Sequence, residues 1–205
     1  MNISTYLLAI IGIAFLFQMM TGGVNGSFTE AFEFNPLLAV QEPWRFITSM
    51  FLHGGIMHIF FNAYALFLFG SILEKKVSSR DYLILYFIAG IIGGLAYYLT
   101  YLLGIIPPIP AIGASGAIFG ILGACAVMFP ELRIFVWFFP MKMKHAAIFW
   151  VIVEFLGAFD VNSGIASAAH LGGLLFGVAF AMYLKKKETE DYYMPQQSWA
   201  GEVDF

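Results

Sequence analysis

Four side chains of this 205-residue sequence could together carry out acyl transfer: Ser115, His170, His58 and Asn62. A serine hydroxyl attacks a carbonyl only when a base takes its proton, and histidine is the usual base. His170 is the candidate base, and on the return step the acid that protonates the leaving amine. The developing oxyanion needs donors aimed at it. His58, Asn62 and the backbone N–H of Ser115 could supply them, because His58 and Asn62 lie four residues apart and share a helix face. No Asp or Glu stands out as a third member, since Glu154 and Asp160 lie on or just after the fifth apolar run. The set therefore reads as a Ser–His dyad with the imidazole held by packing, and Phe119, one turn beyond Ser115, is the candidate to pack against it. Neither a metal nor another cofactor is expected.

These residues sit in an apolar chain. Hydrophobic residues make up 60% and charged ones 11%, against roughly 45–50% and about 25% in an average soluble domain. Mean hydropathy is +0.83. So few charges cannot cover a soluble surface, and the natural solvent is a bilayer. With 10 Lys and Arg and a net charge of -3, a nucleic-acid binder is excluded. The single cysteine, Cys125, excludes a disulfide scaffold and a cysteine-based metal cluster.

The elements that must position the four residues are apolar runs at about Ser4–Met20, Phe51–Leu73, Tyr82–Leu103, Ser115–Phe129, His145–Phe159 and Gly164–Leu184. A crossing helix needs about 20 residues, so the second, third and sixth are comfortable spans and the fourth is the shortest. Lipid offers no partner to an open strand edge, so all six are expected to be helical. The fold expected is all-α: a polytopic, six-transmembrane-helix bundle forming one domain over residues 1–187, with a polar tail over 188–205. The first run lacks the basic flank and small-residue cleavage site of a signal peptide. Lys75, Lys76, Arg80, Arg133, Lys142, Lys144 and Lys185–Lys187 fall on one face, and only Arg45 falls on the other. The positive-inside rule makes the first face cytoplasmic, with both termini there, in a multi-pass protein of the cell membrane. The loop over 21–50 is then external. Its aromatic and charged residues suit the headgroup zone or an ordinary loop, as do those of Glu131–Lys144.

Intramembrane polar groups tend to face a bundle interior or a watery cavity. Those within the runs are His53, His58, Asn62, Ser115, Glu154, Ser167 and His170. The fourth run reaches only about 22 Å, which sinks Ser115 roughly 8–10 Å below the outer surface. The uncharged Pro- and Gly-containing loop over 104–114 can dip in ahead of it. Counted from the Asn162–Gly164 turn, His170 lies about 9 Å down, and His58 lies about 10 Å down from its own side. Three polar residues from three helices thus arrive at one depth. Gly116-x-x-x-Gly120 and Gly173-x-x-x-Gly177 are small-residue stripes that would seat the fourth and sixth helices together, with Ser115 and His170 at the mouth of the contact.

The sequence resembles the rhomboid intramembrane serine proteases. Gly113-Ala114-Ser115-Gly116 matches the GxSG motif, and Ala169-His170-Leu171-Gly172-Gly173-x-x-x-Gly177 matches the motif of the sixth helix. His53-x4-His58-x3-Asn62 matches the second-helix pattern, Trp44-Arg45 the WR pair of the first external loop, and Glu74 the position of a structural glutamate. The resemblance runs from about Trp44 to Leu184, and nothing in it assigns Glu154 a role. It implies a serine endopeptidase whose substrates are transmembrane proteins of the surrounding lipid bilayer, cut at or near the outer interface. Ser115 and His170 would be catalytic, with the oxyanion held by His58, Asn62 and the Ser115 N–H. The fifth helix would be a lateral gate.

Blander roles compete at several positions. His53 reads as a structural hydrogen-bonding group, Trp44-Arg45 as an interfacial anchor or loop brace, and Glu74 as a helix-end charge. Glu154 reads as an interior hydrogen-bonding group. A zinc protease would show H-E-x-x-H, which is absent, and an aspartyl protease would need two intramembrane aspartates. A transporter is disfavoured by the lack of inverted repeats and of a charged pathway. The remaining alternative is a catalytically inactive rhomboid-like protein that binds or escorts membrane helices. Such a protein would be expected to lack the serine or the histidine.

Overall fold

A computed structural model describes residues 2–136, 138–158 and 166–199. Its helices are α1 (Ile3–Met20), α2 (Ser27–Phe32), α3 (Arg45–Thr48), α4 (Ile56–Leu73, with a π-helical turn over Leu66–Gly70), α5 (Ser79–Leu102), α6 (Ser115–Met128), α7 (Met143–Gly157) and α8 (Ser167–Trp199). Between α6 and α7 lies an antiparallel ribbon of β1 (Arg133–Val136) and β2 (Phe139–Lys142), with Arg133 opposite Lys142. The fold is thus mostly helical, and the ribbon departs from the all-helical expectation.

Four helical stretches among the described residues are long and apolar enough to cross a membrane: Ile3–Met20, Ile56–Leu73, Ser79–Leu102 and Ser167–Glu190. Their outward residues are large and apolar, among them Ile13, Leu16, Phe60, Phe61 and Met182. Water would penalise such a surface, whereas lipid accepts it.

Several boundaries differ from the apolar runs for local reasons. The helix α4 opens at Ile56, not Phe51: residues 49–51 form a 3-10 turn, and Gly55 takes φ +142°, a conformation that a helix interior cannot use. The helix α5 opens at Ser79 because the Ser78 side chain accepts from the Asp81 N–H, a side-chain N-cap. The helix α8 begins at Ser167 and runs past Leu184 to Trp199. The Asn162–Gly164 turn and Asp160 lie outside the described residues.

The short helix α6 forms the centre of the bundle, packed against α5 and α8. Nearly every residue from Gly116 to Cys125 is buried. A helix enclosed by protein need not match the bilayer thickness, which explains how 14 residues suffice. The contact with α8 is backbone on backbone: a Cβ on Gly173 would overlap the Gly116 carbonyl, and one on Gly177 would overlap the Gly120 carbonyl. Only glycine permits that approach. Leu7, Ile11, Leu66, Leu73, Tyr82, Tyr86, Ile121 and Met143 belong to the core around it.

Candidate active site

Ser115 is the first residue of α6, so its N–H and those following it have no intrahelical acceptor. The chain reaches it through Gly113 at φ +134°, whose N–H donates to the Ser49 carbonyl at 2.9 Å. The loop over 104–114 is tied down from outside. Phe34 and Ala111 exchange backbone hydrogen bonds of 3.0 and 2.8 Å, and the Tyr97 hydroxyl donates to the Ile109 carbonyl at 3.0 Å. These ties make Ser115 part of a rigid wall.

Three helices open at this level, and each presents a side chain from its first turn. Ser115 Oγ lies 2.7 Å from His170 Nε2. The His170 ring is stacked on Phe119, with centroids 4.4 Å apart and planes within 4°. From α4, His58 accepts at Nδ1 from the Gly54 N–H at 3.0 Å. A neutral imidazole that accepts at Nδ1 carries its proton on Nε2, which is therefore a donor. That nitrogen points toward the serine loop, because a Cβ on Gly113 would lie 3.0 Å from His58 Nε2 and 3.7 Å from Ser115 Oγ. Asn62 is buried and its amide donates to the His58 carbonyl at 2.8 Å, which leaves one of its two N–H groups free to donate elsewhere.

Spacing offers no obvious acidic partner for the histidine, and Glu154 reads there only as an interior hydrogen-bonding group; its Oε1 lies 3.1 Å from His170 Nδ1. The approach is off the axis of a ring N–H on that nitrogen, so it is a close charge contact and not an aligned hydrogen bond. The Ser167 hydroxyl is also a neighbour of the Glu154 carboxylate. The signal that could have found this group is a lone carboxylate in an otherwise apolar helix. The pairing itself is invisible to spacing, because it joins two helices.

The other residues singled out lie around or away from the hydroxyl. Gly116 and Gly173 form the α6–α8 contact. His53 is fully buried, edge-on to His58 with ring centroids 5.2 Å apart, and its backbone N–H donates to Gln18 Oε1 at 3.0 Å. Sequence patterning missed Gln18. Arg45 donates to the Glu30 and Glu33 carbonyls at 2.7 and 2.8 Å and pairs with Glu42, bracing the loop over 21–50, while Trp44 stays half exposed. Glu74 stands at the far end of α4 from His58. It accepts from the N–H groups of Ile3 and Ser4 and from the Ser4 hydroxyl at 2.6 Å, fastening the start of α1.

The Rhomboid domain family matches residues 40–187, which include His58, Asn62, Ser115, Phe119, Glu154 and His170. Over 166 residues the chain is 35% identical to Rhomboid protease GluP of Bacillus subtilis, covering 80% of this chain and 31% of that protein. It is 33% identical over 151 residues to the mitochondrial Rhomboid protein 1 of Saccharomyces cerevisiae, covering 68% and 41%. It is 30% identical over 161 residues to Rhomboid-like protease 3 of Toxoplasma gondii, covering 76% and 57%. The chain therefore spans between about a third and just over half of these relatives. With the family match covering residues 40–187, from α3 into α8, this chain belongs to the rhomboid family of multi-pass membrane proteins.

Proposed function

We propose that the chain is an intramembrane serine endopeptidase acting on transmembrane proteins through Ser115 and His170. The observation that carries this reading is the 2.7 Å contact between Ser115 Oγ and His170 Nε2 at the common mouth of three helices. In the proposed reaction, the Oγ proton passes to Nε2 as Oγ attacks the scissile carbonyl carbon. The oxyanion accepts from the His58 Nε2–H, the Ser115 N–H and the free Asn62 amide hydrogen. Collapse of the tetrahedral intermediate sends the Nε2 proton to the leaving amine. Water, activated by the same histidine, then releases the acyl group.

The chain crosses the bilayer six times in this reading, with both termini cytoplasmic and the site opening to the external face. Nine of its ten basic residues fall on the cytoplasmic side. The helix α7 is the proposed entry gate, since Ile148, Ile152 and Leu156 are largely exposed on its surface. Cross-linking α7 to α4 is expected to block cleavage of helical substrates.

The test is cleavage of a transmembrane reporter in liposomes, with fluorophosphonate labelling alongside. Wild type should cut the reporter and take up label, whereas folded Ser115→Ala and His170→Ala proteins should not cut it. A folded wild type that neither cuts nor labels would leave the binding or escort role instead.

A further inference from the structure

We infer that Glu154 is a positioning residue for this site: its carboxylate, carried on α7, holds the His170 ring so that Nδ1 keeps a proton and Nε2 faces Ser115 as the base. The inference rests on the protease reading above. Glu154 is the only acidic residue of α7, and it is 8% exposed. A carboxylate in a membrane helix is costly and persists where it has partners. Here the partners belong to the first turn of α8: His170 Nδ1 at 3.1 Å and the Ser167 hydroxyl. Ser167 and His170 are three residues apart and share a helix face. One turn along α7, a Cβ on Gly157 would lie 2.6 Å from Ser167 Oγ, so the two helices meet closely just where the carboxylate reaches the imidazole.

A carboxylate beside Nδ1 selects the tautomer with the proton on that atom. The lone pair on Nε2 is then free to accept from Ser115 Oγ. When the serine proton arrives at Nε2, the ring becomes an imidazolium flanked by a negative charge. No proton passes to Glu154, and the carboxylate only fixes and balances the ring. Among the described residues, the ring also meets Ser115 at Nε2, Phe119 on its face and His58 from α4. None of them can supply a negative charge. Contacts of this kind are often misaligned without substrate and tighten in the complex.

The test compares wild type with Glu154→Gln, Glu154→Asp and Ser167→Ala in liposomes, reading reporter kinetics and the rate at which a small fluorophosphonate labels Ser115. Glu154→Gln should lower kcat by up to about 10⁴-fold, the loss when a catalytic histidine takes the wrong tautomer, with KM unchanged. It should slow labelling in parallel, and Glu154→Asp should recover part of both. Ser167→Ala keeps the carboxylate but frees its anchor, and should slow labelling several-fold even if Glu154→Gln fails to fold. If Glu154 only latched the gate, Glu154→Gln would speed reporter cleavage and leave labelling unchanged, which overturns the inference. Wild-type labelling rates in both Glu154→Gln and Ser167→Ala overturn it too, with the protease reading intact. A folded wild type that neither cuts nor labels removes both.

Discussion

Phe119 and His170 come from different helices and lie face to face, 4.4 Å between centroids and only 4° from parallel. Phe119 is one turn past the serine on α6, so the element that presents Ser115 also fixes the plane of the imidazole. A ring pair of this kind contributes about 0.5–1.5 kcal/mol, equivalent to a rate factor of roughly 2–10. Phe119→Leu should lower kcat of reporter cleavage by that factor with KM unchanged, and Phe119→Tyr should retain the wild-type rate. Equal kcat values for Leu and Phe at this position would remove the stacking role.

Gly113→Ala addresses the oxyanion side. The backbone there has φ +134°, and the added methyl would lie 2.9 Å from His58 Cε1. The substitution therefore strains the turn and pushes away a proposed donor. Losing such a donor costs on the order of 10²–10³ in kcat. We expect a fall of that size, measured well below a melting temperature that the strained turn also lowers, and near-normal cleavage would mean that His58 does not serve the oxyanion.

The packing of α6 on α8 can be separated from the chemistry by two glycines. At Gly177 a Cβ would run into the Gly120 carbonyl, whereas at Gly12 nothing lies within 4 Å. Overpacking costs about 1–3 kcal/mol, so Gly177→Ala should unfold at clearly lower temperature than wild type. Gly12→Ala should match wild type or exceed it. Indistinguishable melting of the two variants would contradict the close backbone contact.

Glu74 ties α1 to the end of α4 and stands far from the hydroxyl. Its carboxylate accepts from two N–H groups at the start of α1, where negative charge is favoured, and from the Ser4 hydroxyl. Glu74→Gln should lower stability by about 1–3 kcal/mol while kcat, measured well below the melting temperature, stays at the wild-type value. A matching loss of kcat under those conditions would tie Glu74 to the active site instead.

At the β1–β2 ribbon, Glu131 pairs with both Lys142 and Lys144. The two ammonium groups pull its carboxyl from the usual 4.5 down to about 2. A carboxyl lowered on folding adds stability above its unfolded value and loses it as pH falls through the folded one. Limited proteolysis of the segment over 131–144 should therefore be slow above pH 4.5 and quicken toward about pH 2. In Glu131→Gln it should be fast throughout. The pair is exposed, so salt should weaken the difference.

Much of the site was legible because membrane helices have simple rules. Composition announced the bilayer, and the basic residues supported one orientation. Polar residues inside apolar runs are costly enough to mark themselves, which singled out Ser115, His170, His58 and Asn62, and the glycine stripes said which helices could touch. Each of these signals is local, readable within one helix from its own spacing. Helix ends were less legible: Gly54–Gly55 delays α4, and the Ser78 cap advances α5, through backbone angles that hydropathy does not register. What only the tertiary structure decided is the relation between helices. Glu154 was visible as a lone carboxylate, but nothing in its spacing says that α7 turns it toward His170 Nδ1, because the rotation and register of one helix against another are set by packing. The same holds for the tautomer of His58, decided by a Gly54 N–H that reaches the ring only once the turn before α4 has folded.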